Sequence, residues 1–221
     1  MMPKYRVVVF DLDDTLYKEV DFLKSAYREI AERAEKEWGC PTNIYQKMMF
    51  WREKGENVFG KLITEYSLNV SFGDLLTMYR CHIPKCQLGE LTHNVLSQLK
   101  LSCVLGLITD GRSLTQRNKI KALALDTFID EANVLISEEI GYEKPSEEPF
   151  RYFMRQYPKC HYCYVGDNPT KDFYAPNCLG WDTICLLDNG QNIHPQSFDL
   201  DTDYLPKHKI NSIMELSEIL G

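Results

Sequence analysis

The sequence predicts an α/β fold, a parallel sheet with helices on both faces, with an all-helical block set into it near the start of the chain. Three observations carry this. Short apolar runs rich in β-branched residues recur at 7–10, 103–108, 134–136, 162–165 and 183–187, and runs of that length bounded by polar residues read as strands buried on both faces. Helical patterns separate these runs from Leu91 onward, the alternation expected of parallel strands. Between the first and second runs, about seventy residues keep helical periodicity, whereas a parallel crossover usually needs one helix.

Val7-Val8-Val9-Phe10 is the first strand, and it ends abruptly in Asp11-Leu12-Asp13-Asp14-Thr15-Leu16. From Asp21 to Trp38, Phe22, Ala26, Ile30, Ala34 and Trp38 recur every four residues among charged neighbours, an amphipathic helix that Gly39 and Pro41 stop. Gly55, Gly60 and the stretch 69–73 divide the block from Ile44 to Cys81 into three further helices. A helix through Leu99 leads to the second strand, Cys103 to Ile108, which ends in Thr109-Asp110-Gly111. A helix from Ser113 to Leu123 follows, then the strand Val134-Leu135-Ile136, a turn holding Lys144-Pro145 and a helix from Glu147 to Gln156. Tyr162 to Val165 is a strand ending in Gly166-Asp167-Asn168-Pro169-Thr170-Lys171-Asp172, and Thr183 to Leu187 closes the series. Turn residues and weak periodicity fill 190–209, and Ile213 to Leu220 is a terminal helix.

Composition narrows the function. At 221 residues, 44% hydrophobic and 26% charged, the chain can bury a sizeable core. A formal net charge of −7 argues against a nucleic acid polymer as partner, because phosphate backbones are gripped by clustered Lys and Arg. A small phosphorylated ligand needs only one or two local cations. No apolar run approaches the ~18 residues of a membrane span, and the apolar segment after Met1-Met2-Pro3-Lys4-Tyr5-Arg6 is too short for a secretory signal, so no membrane partner and a cytoplasmic location are expected. The eight cysteines are scattered through apolar and helical stretches, as reduced thiols would be. Cys160 and Cys163 have C-x-x-C spacing, but Cys163 falls within a strand, and Cys81-His82 with Cys86 is the one candidate for a second zinc ligand pair.

Asp11 and Asp13 stand at the carboxyl end of the first strand, the edge where ligands bind in an open α/β sheet. If the chain stays extended, both point to one side, and two carboxylates there repel unless a cation lies between them. A hard-metal site and a solvated acidic turn both fit this stretch alone. Thr109, Lys144, Asp167 and Asp172 stand at or just beyond later strand ends, so parallel strands would bring all of them to one edge.

In this order and spacing, Asp11-Leu12-Asp13-Asp14-Thr15-Leu16, Ile108-Thr109-Asp110-Gly111, Lys144-Pro145 and Gly166-Asp167-Asn168-Pro169-Thr170-Lys171-Asp172 resemble the four motifs of the haloacid dehalogenase-like hydrolase superfamily, and Ser137-Glu138-Glu139-Ile140-Gly141 also looks like that family. The match covers roughly residues 5–17 and 88–190. The resemblance implies a Rossmann-like core, 1–17 and 86–221, and a helical cap inserted at 18–85. It implies Mg²⁺ held by the carboxylates of Asp11 and Asp167 and the main-chain carbonyl of Asp13, with Asp172 as a more distant or water-mediated partner; a helix N-terminal carboxylate is the alternative for Asp172. An all-oxygen acidic site suits such a hard cation.

By the same resemblance Asp11 is the nucleophile that attacks phosphorus and Asp13 is the acid and base. The Thr109 hydroxyl, the Asp110 amide N–H and the Lys144 ammonium would hold the phosphoryl oxygens, with Lys144 at the mouth of the site. Asp14 would shape the turn. The implied activity is a Mg²⁺-dependent phosphatase acting on a small phosphorylated metabolite. Asp13 and the Asp167 motif argue against dehalogenation. A sugar-phosphate mutase and a non-catalytic phospho-ligand-binding protein are the competing readings, and a cap lysine (Lys18, Lys24, Lys47, Lys54 or Lys61) would fit phosphonate hydrolysis. Phe22, Tyr45, Trp51, Tyr66 and Tyr79 are candidates for touching the leaving group, although aromatics at helical spacing usually pack as core.

Overall fold

The computed structural model describes residues 6–220; residues 1–5, which the sequence assigns to the core, and Gly221 lie outside the described residues. Strand β1 (Arg6–Phe10) occupies the middle of a sheet whose other strands are β2 (Cys103–Thr109), β3 (Val134–Ile136), β4 (His161–Gly166), β5 (Asp182–Leu186) and β6 (His208–Ile210). Their order is β3-β2-β1-β4-β5-β6 and every pairing is parallel, so all carboxyl ends lie on one edge. The period of two in β1 sends Val8 and Phe10 to one face and Val7 and Val9 to the other. The first face packs with Leu105, Leu107, Val165 and the helices α5 (Glu90–Leu99), α6 (Ser113–Ala122) and α10 (Leu216–Leu220). The second packs with Tyr164, Trp181 and the two phenylalanines, Phe150 and Phe153, of α8 (Glu148–Gln156). Two short helices, α7 (Ser137–Ile140) and α9 (Tyr174–Cys178), follow β3 and β4.

Strand β6 departs from the sequence expectation, which ended the series with the run at 183–187. It is three residues long with only Ile210 buried, too short to show a period, and it exists because β5 offers it a parallel edge. The terminal helix is likewise shorter than expected, since Ile213–Glu215 is a 3₁₀ turn before α10.

Between β1 and α5 the chain forms α1 (Glu19–Glu37), α2 (Ile44–Glu53), α3 (Val58–Glu65) and α4 (Phe72–Cys81). They bury a cluster of their own, in which Ile30, Ala34, Ile44, Met48, Leu62 and Leu75 are almost wholly shielded. Helix α1 ends at Gly39, whose φ of 69° is the left-handed conformation a β-carbon disfavours. Helix α4 starts on a reciprocal cap, with Ser71 Oγ accepting from Asp74 N–H at 3.1 Å and Asp74 Oδ2 accepting from Ser71 N–H at 2.9 Å. Its last carbonyls are met by α6: Thr115 Oγ1 donates to Arg80 O at 2.8 Å, and Asn118 Nδ2 donates to Cys81 O and His82 O. The buried His82 ring ties this exit to α1, through Glu29 at 2.7 Å and Ser25 at 2.8 Å. No helix among the described residues is long and apolar enough to cross a membrane.

Two expectations follow from the packing. A β-carbon at Gly106 in β2 would lie 2.5 Å from the Phe153 ring and 3.2 Å from Val9 Cγ2, so Gly106→Ala is expected to cost about 1–3 kcal/mol in urea unfolding at unchanged m. Burial pushes the Cys163 thiol up to about 12, with Asp182 adding, and likewise Cys185 to about 12, with Asp167 adding. Native protein treated with iodoacetamide at pH 8 is therefore expected to be alkylated at the exposed Cys81 and Cys178 and to remain unmodified at Cys163 and Cys185, as read by peptide mass spectrometry.

Candidate active site

The register brings the predicted residues together. Leu12 turns into the core while Asp11 lies beyond Phe10, its N–H donating to Val165 O at 2.8 Å, which locks the carboxyl end of β1 against β4. Thr109 ends β2, Lys144 follows α7, and Asp167 follows β4. Asp11, Thr109, Lys144, Asp167 and Asp172 are all buried.

Lys144 does not lie at the mouth of the site as the sequence suggested. Its side chain is fully enclosed, and Nζ donates to Asp11 Oδ1 at 2.5 Å, to Asp172 Oδ1 at 2.7 Å and to the Tyr164 hydroxyl oxygen at 3.1 Å. Burial alone would lower this ammonium, but Asp11 and Asp172 outweigh it and hold the group well above its usual value. The other Asp172 oxygen accepts from Asp167 N–H at 3.1 Å and Asn168 N–H at 2.8 Å, so Asp172 braces the loop that carries Asp167. A β-carbon at Gly166 would collide with that carboxylate at 2.6 Å, which explains the glycine.

Asp167 is placed differently. Its Oδ2 accepts from Asn192 Nδ2 at 2.9 Å, and no lysine or arginine among the described residues bridges to it. Burial, then Asp11 and Asp172, push it up to about 9. Among the described residues, Asp11, Asp167 and Asp172 form the one group of three or more His, Cys, Asp or Glu residues able to converge on a metal, with carboxylate oxygens within 4.8 Å of one another. An all-oxygen donor set in which one carboxylate lacks a cationic partner fits a hard divalent cation. Among the described residues the cysteines form no such group, neither Cys160 with Cys163 nor Cys81-His82 with Cys86.

Burial pushes Asp11 up to about 6, and the neighbouring Lys144 ammonium partly offsets that rise. Asp13 is held by groups that the sequence reading missed. Lys119 Nζ reaches both its oxygens, at 2.7 and 2.9 Å, Tyr17 Oη donates at 2.5 Å and Gln116 Nε2 donates at 2.9 Å. Burial pushes Asp13 up, but Lys119 and these hydrogen bonds bring it below the usual carboxylate range. Gln116 also donates to Thr109 Oγ1 at 2.6 Å and to Asp110 O at 3.2 Å. The available signal was in α6: Gln116 and Lys119, at i and i+3, stand on the face of a core helix where apolar residues are expected.

Asp110 accepts from Lys144 N–H at 3.1 Å and lies 3.5 Å from Lys171 Nζ. Asp14 adopts a left-handed φ of 59°, shapes the turn, and accepts from Glu19 N–H and Ile193 N–H at 3.0 Å each. The second of these partners belongs to the loop 188–196, also missed, which supplies Asn192 to Asp167.

The carboxylates surround a cavity of about 180 Å³ lined by Asp11, Asp13, Asp14, Glu19, Thr109, Asp110, Asp167, Asn168, Lys171 and His194. Of the five candidate aromatics none lines it: Phe22 and Trp51 are buried and Tyr79 stacks edge-on against Phe22 at 5.3 Å. None of the five cap lysines lines it either. Lys18 donates to Asn192, Lys24 lies 3.8 Å from Asp21, Lys47 pairs with Glu65, Lys61 pairs with Glu56, and Lys54 sits over the Phe50 ring.

The family model for haloacid dehalogenase-like hydrolases matches residues 8–185. Among curated relatives, a glyceraldehyde 3-phosphate phosphatase of Methanocaldococcus jannaschii is 28% identical over 96% of both chains, and one of Methanothermobacter thermautotrophicus is 26% identical over 97% of this chain and 99% of its own. The solved structure of the HAD-hydrolase YfnB of Bacillus subtilis, bound to magnesium, superposes with a TM-score of 0.72 at 24% identity over 99% of each chain. A HAD phosphatase from Thermococcus onnurineus superposes at 0.62, with 20% identity over 98% of each chain.

The charge network sets a stability expectation. Lys144→Met leaves the Asp11 and Asp172 carboxylates buried without their cation, and urea denaturation at pH 7 is expected to show a loss of about 3–5 kcal/mol. A loss below about 1 kcal/mol would mean that the two carboxylates find other compensation.

Proposed function

The chain belongs to the haloacid dehalogenase-like hydrolase family, and from that premise we propose that it is a Mg²⁺-dependent phosphatase that hydrolyses a small phosphorylated metabolite through an aspartyl-phosphate on Asp11. One observation supports this above the others: the buried Asp11 carboxylate, paired with the Lys144 ammonium, lines the same cavity as Asp13 and Asp167. The phosphatase names of the relatives point the same way.

Asp11 and Asp167 would hold Mg²⁺ with the main-chain carbonyl of Asp13. When bound, the ion offsets the repulsion between a carboxylate nucleophile and a phosphate. Asp11 attacks phosphorus, and the phosphoryl oxygens are held by the Thr109 hydroxyl and the Asp110 N–H; the Lys144 ammonium fixes Asp11 in place and would reach a phosphoryl oxygen by turning its donor away from the Tyr164 hydroxyl. For Asp13 to give a proton to the leaving oxygen and then take one from the water that cleaves the acyl phosphate, its carboxyl, held below the usual range by Lys119 and its hydrogen bonds, must be raised by the negative charge of the bound phosphate. Lys119, Gln116 and Tyr17 hold the Asp13 carboxylate in the orientation that this shuttle needs. Asp172 keeps Lys144 charged and the Asp167 loop folded. Residues 18–85 act as a cap over the site, contributing Glu19 to its wall.

Purified protein is expected to release phosphate from members of a phosphate-ester panel with Mg²⁺ and to stop when EDTA is added. Asp11→Asn is expected to lower kcat/KM by about three orders of magnitude or more, and Asp13→Asn by about 10²–10⁴-fold. Phosphate release by Asp11→Asn equal to that of the unaltered protein would overturn the nucleophile assignment, and silence across the panel would overturn the activity.

A further inference from the structure

The catalytic cavity states more about its substrate than the reaction class, because its volume and its charge both restrict what can leave. At about 180 Å³ it lies below the roughly 300–1,000 Å³ of ordinary small-molecule sites, and the phosphoryl group must share that space. Six carboxyl side chains line it: Asp11, Asp13, Asp14, Glu19, Asp110 and Asp167.

Five of the six are already engaged. Asp11 binds Lys144, Asp13 binds Lys119, and Asp110 has Lys171 nearby. Asp14 spends its oxygens on two backbone N–H groups, and Asp167 accepts from Asn192. Glu19 is the exception. Its carboxylate accepts no hydrogen bond among the described residues, and its nearest cation, Lys119 at 3.9 Å, already donates to both oxygens of Asp13. It is held at the first turn of α1, where its N–H donates to Asp14. The cavity thus presents one acceptor without a hydrogen-bond donor, a carboxyl that burial and then Asp13 push up to about 7, so that it carries its negative charge above neutral pH, in a wall where acids outnumber the lining cation Lys171.

We propose that Glu19 is a specificity-determining residue that accepts a hydrogen bond from a hydroxyl of the leaving group and repels a second anion, so that the substrates are monophosphate esters of small, uncharged, hydroxylated compounds. This rests on the phosphatase reading above. Phosphorylated carboxylic acids and bisphosphates are disfavoured, because a second negative group of the substrate would be confined with Glu19 in a partly shielded space.

The test uses the full chain with Mg²⁺ at pH 8, above the value of about 7 to which Glu19 is raised, and two substrates of equal carbon count, glycerol 3-phosphate and 3-phosphoglycerate, with 4-nitrophenyl phosphate as a general reporter. The unaltered protein is expected to favour glycerol 3-phosphate by about tenfold or more in kcat/KM, the size of effect that one like-charge contact produces. Glu19→Gln, nearly the same shape without the charge, is expected to narrow that ratio by about tenfold, chiefly through a lower KM for 3-phosphoglycerate. Glu19→Ala should also raise KM for glycerol 3-phosphate, because the acceptor is gone. A variant that merely loosens the fold changes both substrates in proportion and leaves the ratio where it was, and that result overturns the proposal. Preference of the unaltered protein for 3-phosphoglycerate overturns it as well. Silence on all three compounds and on a broader ester panel overturns the phosphatase reading itself, and is thereby distinguishable.

Discussion

The site depends on one buried lysine held between two buried aspartates. Lys144 donates to Asp11 and to Asp172, and its side chain is wholly shielded from solvent. Burying these charges is costly, and the cost is tolerable only because each is hydrogen-bonded on several sides. Asp172 then fixes the loop of Asp167 through two backbone N–H groups. A single ammonium therefore sets the position of Asp11, the proposed nucleophile, and, through Asp172, of the Asp167 carboxylate.

The same economy separates the two acids of the first motif. Asp11 and Asp13 are two residues apart, yet one meets Lys144 from beyond β3 and the other meets Lys119 from α6. Burial weighs on both. It prevails at Asp11, which is pushed up, whereas Lys119, Tyr17 and Gln116 bring Asp13 below its usual range. Gln116 extends the network to Thr109, so α6 supports both the proposed shuttle and the proposed phosphate site. The neighbouring Thr115 and Asn118 hold the end of α4, which ties the helical insert to the helix that holds Asp13.

Legibility in the sequence followed how local each signal was. Strand β1 was plain because four apolar residues run together, and the four motifs were plain because each is a short run at a strand end. Strand β6 was not, since three residues with one buried side chain carry no period. The loop 188–196 read as turns, and its contribution is made by one amide and one backbone N–H that only the fold brings to Asp167 and Asp14. Lys144 looked like a residue for the rim, because sequence shows that a lysine follows a strand and not how deeply the turn carries it.

By itself the sequence determined the alternation of strands and helices, the identity of the residues at the strand ends and the acidic character of the site. Those follow from side-chain periodicity and composition, which act within a few residues of one another. Tertiary structure decided which charge meets which: Lys144 reaches Asp11 across 133 residues and Lys119 reaches Asp13 across 106. The parallel register puts their elements on one edge, and desolvation there makes each carboxylate depend on the partner that the fold supplies.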